Sequence, residues 1–393
     1  MVCKTYAAHL GDAVANRVLF VSLDHDGPAS SNGLDAIIST LTAIRCRVLW
    51  ALASWGCFVL SLLRIEWQFV GRIVAPLAES ELKRRHGTHV TRIDSPECCF
   101  KACPYMTRFV SLSPKAAPKS CTTAILHIHG GAYQTHTATE HPSASWLLRL
   151  CDPGTVYLSV GYTLAPAATF AQQVGQAIAC LRHLVEVCGA SSVSLVGDSA
   201  GGGIALGVLL ELFEHSDQHA APHLRDALAA AVLVSPWVPS QVDAAPHTAL
   251  PPPPLVTDYL PSCMLRQPAL VYLAGGGPPR EAVVPRLRAC AAALPPVLVV
   301  AGGGEVCLPT ATAVADALLG AAATIGLGPE PAVAAALPPR HAVHVAPGEP
   351  HDFPMLPSFL LRSPAAPRAA WTRAAALING AVREREARRR VAS

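Results

Sequence analysis

Charge is scarce in this chain. Asp, Glu, Lys and Arg make up only 15% of its 393 residues, against about 25% in a typical soluble domain. Thirty basic side chains nearly cancel 27 acidic ones, leaving a net charge of +3. So sparse and balanced a charge argues against a nucleic-acid surface and against long-range steering of an acidic substrate. A cysteine framework is also lacking: the 13 cysteines are odd in number, irregularly spaced and without a C-x-x-C pair. That argues against a secreted disulfide scaffold or a zinc ribbon and for reduced thiols facing cytosol. The first 20 residues hold no uninterrupted apolar run, being broken by Lys4, Asp12 and Arg17, so no secretory signal peptide is expected. There is no internal repeat. What is abundant is apolar surface: 51% of residues are hydrophobic and the mean hydropathy is +0.35, which excludes disorder over most of the length.

Long hydrophobic runs are limited to one. Val48 to Leu63 is uncharged for 16 residues, bounded by Arg45 and Arg47 before it and Arg64 after it. A bilayer span needs about 20 apolar residues, with about 17 as a lower limit. Two readings stay open, a buried or lid helix and a single membrane anchor, and the expected location is accordingly cytoplasmic or associated with the endoplasmic-reticulum membrane. Basic residues on both sides leave orientation unread.

From about residue 122 onward, β-branched runs alternate with helical periodicity, the pattern of an α/β fold whose mostly parallel central sheet is covered by helices on both faces. Strands are expected at 124–128, 156–160, 193–196, 231–234, 297–301 and 342–345. Val174, Ile178, Leu181, Val185 and Cys188 mark one helix face, and 204–213 reads as a second helix. Proline cannot serve a central strand, so the stretch from Pro246 to about Pro279 and the Ala, Gly and Pro-rich stretch 320–339 are surface excursions. The division expected is 1–100 as an N-terminal cap or tail and 101–393 as the main domain, carrying a cap-like insert at about 240–280 and a low-complexity insert at about 320–339.

The sharpest local signal is Gly197-Asp198-Ser199-Ala200-Gly201, a G-x-S-x-G between an expected strand and an expected helix. Its glycines permit a tight turn that pushes the serine oxygen out above the sheet, with a helix N-terminus behind it. Acyl transfer also needs fixed donors for the oxyanion. His129-Gly130-Gly131-Ala132-Tyr133, after the first parallel strand, offers the amides of Gly130 and Gly131, and the amide of Ala200 would complete the set. The bland alternatives are a chance pentapeptide and an ordinary glycine turn. His127 and His129 form an H-x-H pair without a third ligand at a telling distance, so no metal is expected.

With these motifs the chain resembles the hormone-sensitive-lipase-like branch of the α/β-hydrolases, esterases marked by an H-G-G loop and a G-D-S-A-G elbow. Tyr162-Thr163-Leu164-Ala165-Pro166, Ser235-Pro236-Trp237, Leu294-Pro295-Pro296-Val297 leading into Gly303-Gly304-Glu305-Val306, and Pro350-His351-Asp352-Phe353 are similar too, so the likeness covers about 120–360. It implies an α/β-hydrolase fold, Ser199 as nucleophile, Glu305 as acid and His351 as base, in the chain order usual for that fold. His129 and Tyr133 would support the oxyanion loop, Asp198 would be structural, and His127 would face the core or sheet. Among rival acids, Asp352 is the histidine's own neighbour, Asp316 falls in an expected helix, and Glu330 and Glu349 fall in loops. The chain departs from the family pattern at Thr163, Ala167, Pro309 and Thr310, which puts rate and stability in question. The implied activity is hydrolysis of a small, apolar, short-acyl ester through an acyl-enzyme, with no cofactor. A ligand receptor on the same fold, as in plant gibberellin receptors that lack the histidine, and an acyltransferase with the same residues are the alternatives. Neither the oligomeric state nor the natural ester is readable.

Overall fold

The computed structural model describes residues 89–94, 108–113, 122–136, 138, 143–152, 154–214, 221–245, 258–260, 262–320, 340–356 and 361–392. Its strands are β1 (His89–Asp94), β2 (Arg108–Ser113), β3 (Thr123–Ile128), β4 (Val156–Gly161), β5 (Ser192–Asp198), β6 (Leu228–Val234), β7 (Val297–Gly302) and β8 (His341–Ala346). They form one sheet in the order β1-β2-β4-β3-β5-β6-β7-β8. The pairs from β4 through to β8 are parallel, while β1 on β2 and β2 on β4 are antiparallel.

The six expected strands are β3 to β8, each slightly longer than its apolar run. The expectation that everything before about residue 100 packs outside the sheet is corrected, because β1 is a sheet strand paired along its length with β2. Both strands mix polar with apolar residues (His-Val-Thr-Arg-Ile-Asp and Arg-Phe-Val-Ser-Leu-Ser), so a search for continuous apolar runs passes over them. The hydrophobic run 48–63 and residues 321–339 lie outside the described residues. Among the described residues no helix is long and apolar enough to cross a membrane.

Helices α1 (Ser143–Leu150), α2 (Phe170–Arg182), α3 (Ala200–Phe213), α4 (Pro222–Ala227), α5 (Gln241–Ala244), α6 (Ser262–Ala274), α7 (Arg280–Cys290), α8 (Leu308–Leu319) and α9 (Ala366–Ala392) fill the connections. The strands point alternate residues to opposite faces, and two cores result. Leu126, Ile128, Leu195, Leu233 and Val299 pack with Ile204 and Val208 of α3 and Leu181 of α2. Ile125, Val196, Val232, Val234 and Val300 pack with Leu147 of α1 and Trp371 and Ile378 of α9. Burial on both faces is why β6 and β7 read as unbroken apolar segments.

Helix α2 begins at a capping box in which Thr169 and Gln172 bond each other's backbone amides. It ends in a π turn, His183–Val187. The buried line runs through Val174, Ala177, Leu181 and Leu184, so Ile178 on α2, and Val185 and Cys188 at and after the π turn, are only partly buried. The wider turn rotates the register there. The chain moves from β3 outward to β4 and then returns to the other side of β3 as β5. Such a reversal opens a crevice at the carboxyl ends of the flanking strands, where ligands bind in open α/β sheets.

Candidate active site

Ser199 follows β5 directly and caps the N-terminus of α3 with φ +49° and ψ −120°, a conformation that costs a non-glycine residue about 1–3 kcal/mol. The neighbours over-determine it. The Ser199 amide donates to Val234 O at 2.9 Å, and its carbonyl accepts from Trp237 N at 2.9 Å. The tight turn needs Gly201, because a Cβ there would run into the carbonyl oxygen of Ile128 at the end of β3. The elbow is thus wedged between β3 and β6, and Ser199 Oγ lies 2.9 Å from His351 Nε2.

His351 follows β8 and is buried. Burial pulls its pKa down to about 4, against an upward pull from the Asp198 charge, so the ring is neutral near pH 7 and can accept a hydroxyl proton. Glu305 follows β7. Its Oε2 accepts from Ser235 Oγ at 2.6 Å and from Gly302 N at 2.9 Å, and it stands 4.0 Å from His351 Nδ1. At that distance no hydrogen bond is formed, and among the described residues His351 Nδ1 and Glu305 Oε1 both lack a partner. Burial pushes the Glu305 carboxyl up to about 8, against the Ser235 and Gly302 hydrogen bonds that lower it. A closing of about 1 Å would bring Nδ1 within hydrogen-bond reach of Oε2.

The rival carboxylates are placed elsewhere. Asp352 does reach the ring, with Oδ2 3.3 Å from His351 Nε2, but at the nitrogen that faces Ser199. Glu349 is spent on the amides of Arg362 and Ser363 at 3.1 and 2.7 Å. Asp316 lies on α8, and Glu330 lies outside the described residues.

The glycine loop after β3 requires a correction. Gly130 N–H donates to Asp198 Oδ2 at 2.8 Å, so it anchors the loop and is no free oxyanion donor. Asp198 Oδ1 meets His127 Nε2 at 2.9 Å, and His127 Nδ1 lies 3.2 Å from Ser159 Oγ. His127, buried in the sheet, therefore belongs to the loop's support. The next amides, of Gly131 and Ala132, have no acceptor among the described residues, and the same holds for Ala200. Ala132 takes φ +52°, and an alanine beside two glycines carries no residue signature for an exposed amide. His129 stacks on Tyr162 at 4.1 Å, and Nδ1 faces Gly130 O at 2.8 Å. Tyr133 donates to Trp237 O at 2.7 Å and lies in an aromatic cluster with Phe170 and Tyr272.

Two further residues escaped the sequence reading. Ser235 Oγ donates to Glu305 and accepts from Asp352 N at 3.0 Å, so it joins the acid loop to the base loop; its place in Ser235-Pro236-Trp237 was the available signal. Asp258 is buried, with burial raising its carboxyl to about 6 despite four backbone hydrogen bonds that lower it. No pattern in the sequence marks it.

Comparison with known proteins bears on the fold. A model of the alpha/beta hydrolase fold matches residues 125–327. The chain belongs to the alpha/beta hydrolase fold family. Among relatives of this hydrolase-fold chain, an acetyl-hydrolase of Streptomyces hygroscopicus is 33% identical over 159 residues, 39% of this chain and 48% of that one. An ethyl acetate hydrolase of Pseudomonas putida is 32% identical over 117 residues, 28% of this chain and 36% of that one. The chain thus spans half or less of the length of these relatives. Among solved structures, an esterase from Mycobacterium marinum has a TM-score of 0.58 at 17% identity, covering 80% of this chain and 88% of that one. An esterase from Pyrobaculum calidifontis has a TM-score of 0.56 at 18% identity, covering 86% and 97%. These structures establish likeness of fold.

Proposed function

We propose that this hydrolase-fold protein is a serine carboxylester hydrolase. The observation that carries the reading is the 2.9 Å approach of His351 Nε2 to Ser199 Oγ on a backbone held at positive φ. Neutral His351 takes the Ser199 proton as Oγ attacks the ester carbonyl, and the tetrahedral oxyanion is received by the amides of Gly131, Ala132 and Ala200. The imidazolium then returns the proton to the leaving alkoxide, leaving an acyl-enzyme. Water, deprotonated by the same ring, releases the carboxylic acid and restores the serine. Glu305, closing on Nδ1, holds the tautomer and balances the charge formed on the ring.

The substrate class proposed is a small, uncharged, short-acyl ester, acetyl above all. The sparse net charge of the chain and relatives named acetyl-hydrolase and ethyl acetate hydrolase support it. A fluorophosphonate probe tests the chemistry directly. The expected result is a single adduct on Ser199, absent in Ser199→Ala, together with turnover that falls from acetyl to octanoyl p-nitrophenyl esters. A folded protein that neither takes up the probe nor turns over any ester of the series would refute the reading.

A further inference from the structure

Among the described residues, two polar side chains join the base loop and the acid loop, and one of them belongs to a motif. Ser235 bridges Glu305 and the amide of Asp352 from the end of β6. Asp258 enters from the insert between β6 and β7 and bridges the same loops through their backbones. Its Oδ2 accepts from the amide of Val306, the residue after Glu305, at 2.8 Å, and its Oδ1 accepts from the amide of His351 itself at 3.1 Å. Oδ1 also accepts from Leu260 N at 3.3 Å, which fixes the carboxylate to its own turn. The side chain is 4% exposed. A buried carboxylate is costly to place, and a cross-link between two loops could be made by any acceptor; these loops carry the two groups whose 4.0 Å separation remains to be closed.

We propose that Asp258 is a positioning residue: its carboxylate ties the amide beside Glu305 to the amide of His351 and so sets the spacing across which that pair works. The proposal rests on the esterase reading for its consequence in turnover and on the geometry alone for its consequence at the imidazole. Asp258 also acts through its charge. Glu305 is faced by His351, Asp258, Asp352, Cys307 and Tyr259, and the Asp258 charge is one of the influences that raise the Glu305 carboxyl. Replacing Asp258 by a neutral isostere therefore moves Glu305 downward, whereas mere loosening of the loops has no such sign.

The test compares Asp258→Asn with the parent, full chain in each case. Asn keeps the shape, but one of its two ends becomes a donor facing an amide N–H. The expected result is a kcat for p-nitrophenyl acetate lower by about 10²-fold, the cost typical of a misplacement of about 1 Å, with KM unchanged and with the alkaline rise of the pH profile displaced to lower pH. In parallel, 15N-labelled histidine spectra, with the His351 ring assigned through His351→Gln, report that ring in both proteins without requiring turnover; its nitrogen shifts are expected to differ between parent and variant. Unchanged kcat, or unchanged ring shifts, overturns the proposal. If Asp258→Asn fails to fold, the residue serves the fold and the proposal is overturned as well. Absence of turnover in the parent with altered ring shifts in the variant overturns the esterase reading and leaves the positioning role supported.

Discussion

Asp198 offers the sharpest quantitative test, because its two oxygens hold two different parts of the site. Oδ2 takes the Gly130 amide at 2.8 Å, and Oδ1 meets His127 Nε2 at 2.9 Å, with both partners buried. Asp198→Ala strands the amide and removes the histidine's carboxylate. A buried polar group left without its partner costs about 1–3 kcal/mol, so the two losses together come to about 2–6 kcal/mol of stability. The loss to catalysis is separate. Gly130 leads directly into Gly131 and Ala132, and once unanchored the loop no longer presents their amides at fixed positions. Misaligning one oxyanion donor costs about 10²–10³-fold in kcat.

Asp198→Asn is expected to recover most of both losses. Its carbonyl oxygen can still face Gly130, and its amide can face His127 Nε2 if that ring carries its proton on Nδ1, directed at Ser159 Oγ 3.2 Å away. The assays are urea unfolding for stability and steady-state hydrolysis of p-nitrophenyl acetate for kcat and KM. The order parent, Asn, Ala in both measurements, with KM nearly constant, is the expected outcome. A folded Asp198→Ala enzyme with kcat within a few-fold of the parent would show that the loop needs no such anchor, and the reasoning would fall.

The remaining predictions concern pH and backbone space. His351 must be neutral to act, and burial holds it to about 4, so activity should survive acidification well past the ordinary histidine value of about 6.5 and disappear only near pH 4. Glu305, raised to about 8 by burial, balances the imidazolium better once ionised, so kcat/KM should rise again as pH passes 8. Glu305→Gln should keep the lower limb and lose the upper rise; a single limb near 6.5 in both proteins would contradict the assignment. Gly201→Ala sets a Cβ against the backbone carbonyls of Ile128 and His129, which cannot rotate away. The expected cost is about 1–3 kcal/mol in urea unfolding, with slower fluorophosphonate labelling of Ser199, and a variant as stable and as fast as the parent would deny the close approach of α3 to β3.

Legibility in the sequence followed burial. Strands β3 to β7 were readable because a sheet covered on both faces leaves largely apolar segments, and the elbow was readable because glycine is the residue that lets α3 approach β3. Strands β1 and β2 were not, since their few apolar residues are interspersed with Arg, Ser, Thr, His and Asp. Within the site, the side chains that meet head-on, Ser199 and His351, carried motifs. The groups that hold the loops did so through backbone amides, which have no residue signature: Gly130 N on Asp198, and Val306 N and His351 N on Asp258. A motif names a side chain and is silent on where its neighbour's N–H points, which is why Gly130 was read as a donor to substrate and Ala132 was passed over.

The departures from the family pattern bear on the same distinction. Thr163 is one of them, in the turn after β4. It is held by side-chain amides of α2. Gln176 accepts from Thr163 N at 2.7 Å through Oε1 and donates to Thr163 Oγ1 at 3.0 Å through Nε2, and Gln173 donates to Thr163 O at 3.0 Å. Gln173 also reaches Tyr133 O at 3.3 Å, so the pair of glutamines on α2 links the turn after β4 to the end of the oxyanion loop. A buried arginine would have to bring a carboxylate with it or leave a charge uncompensated. Two amides, each able to give and accept, satisfy the threonine's backbone and hydroxyl without either. The turn after β4 and the end of the loop after β3 are thus held together by hydrogen bonds from neutral side chains.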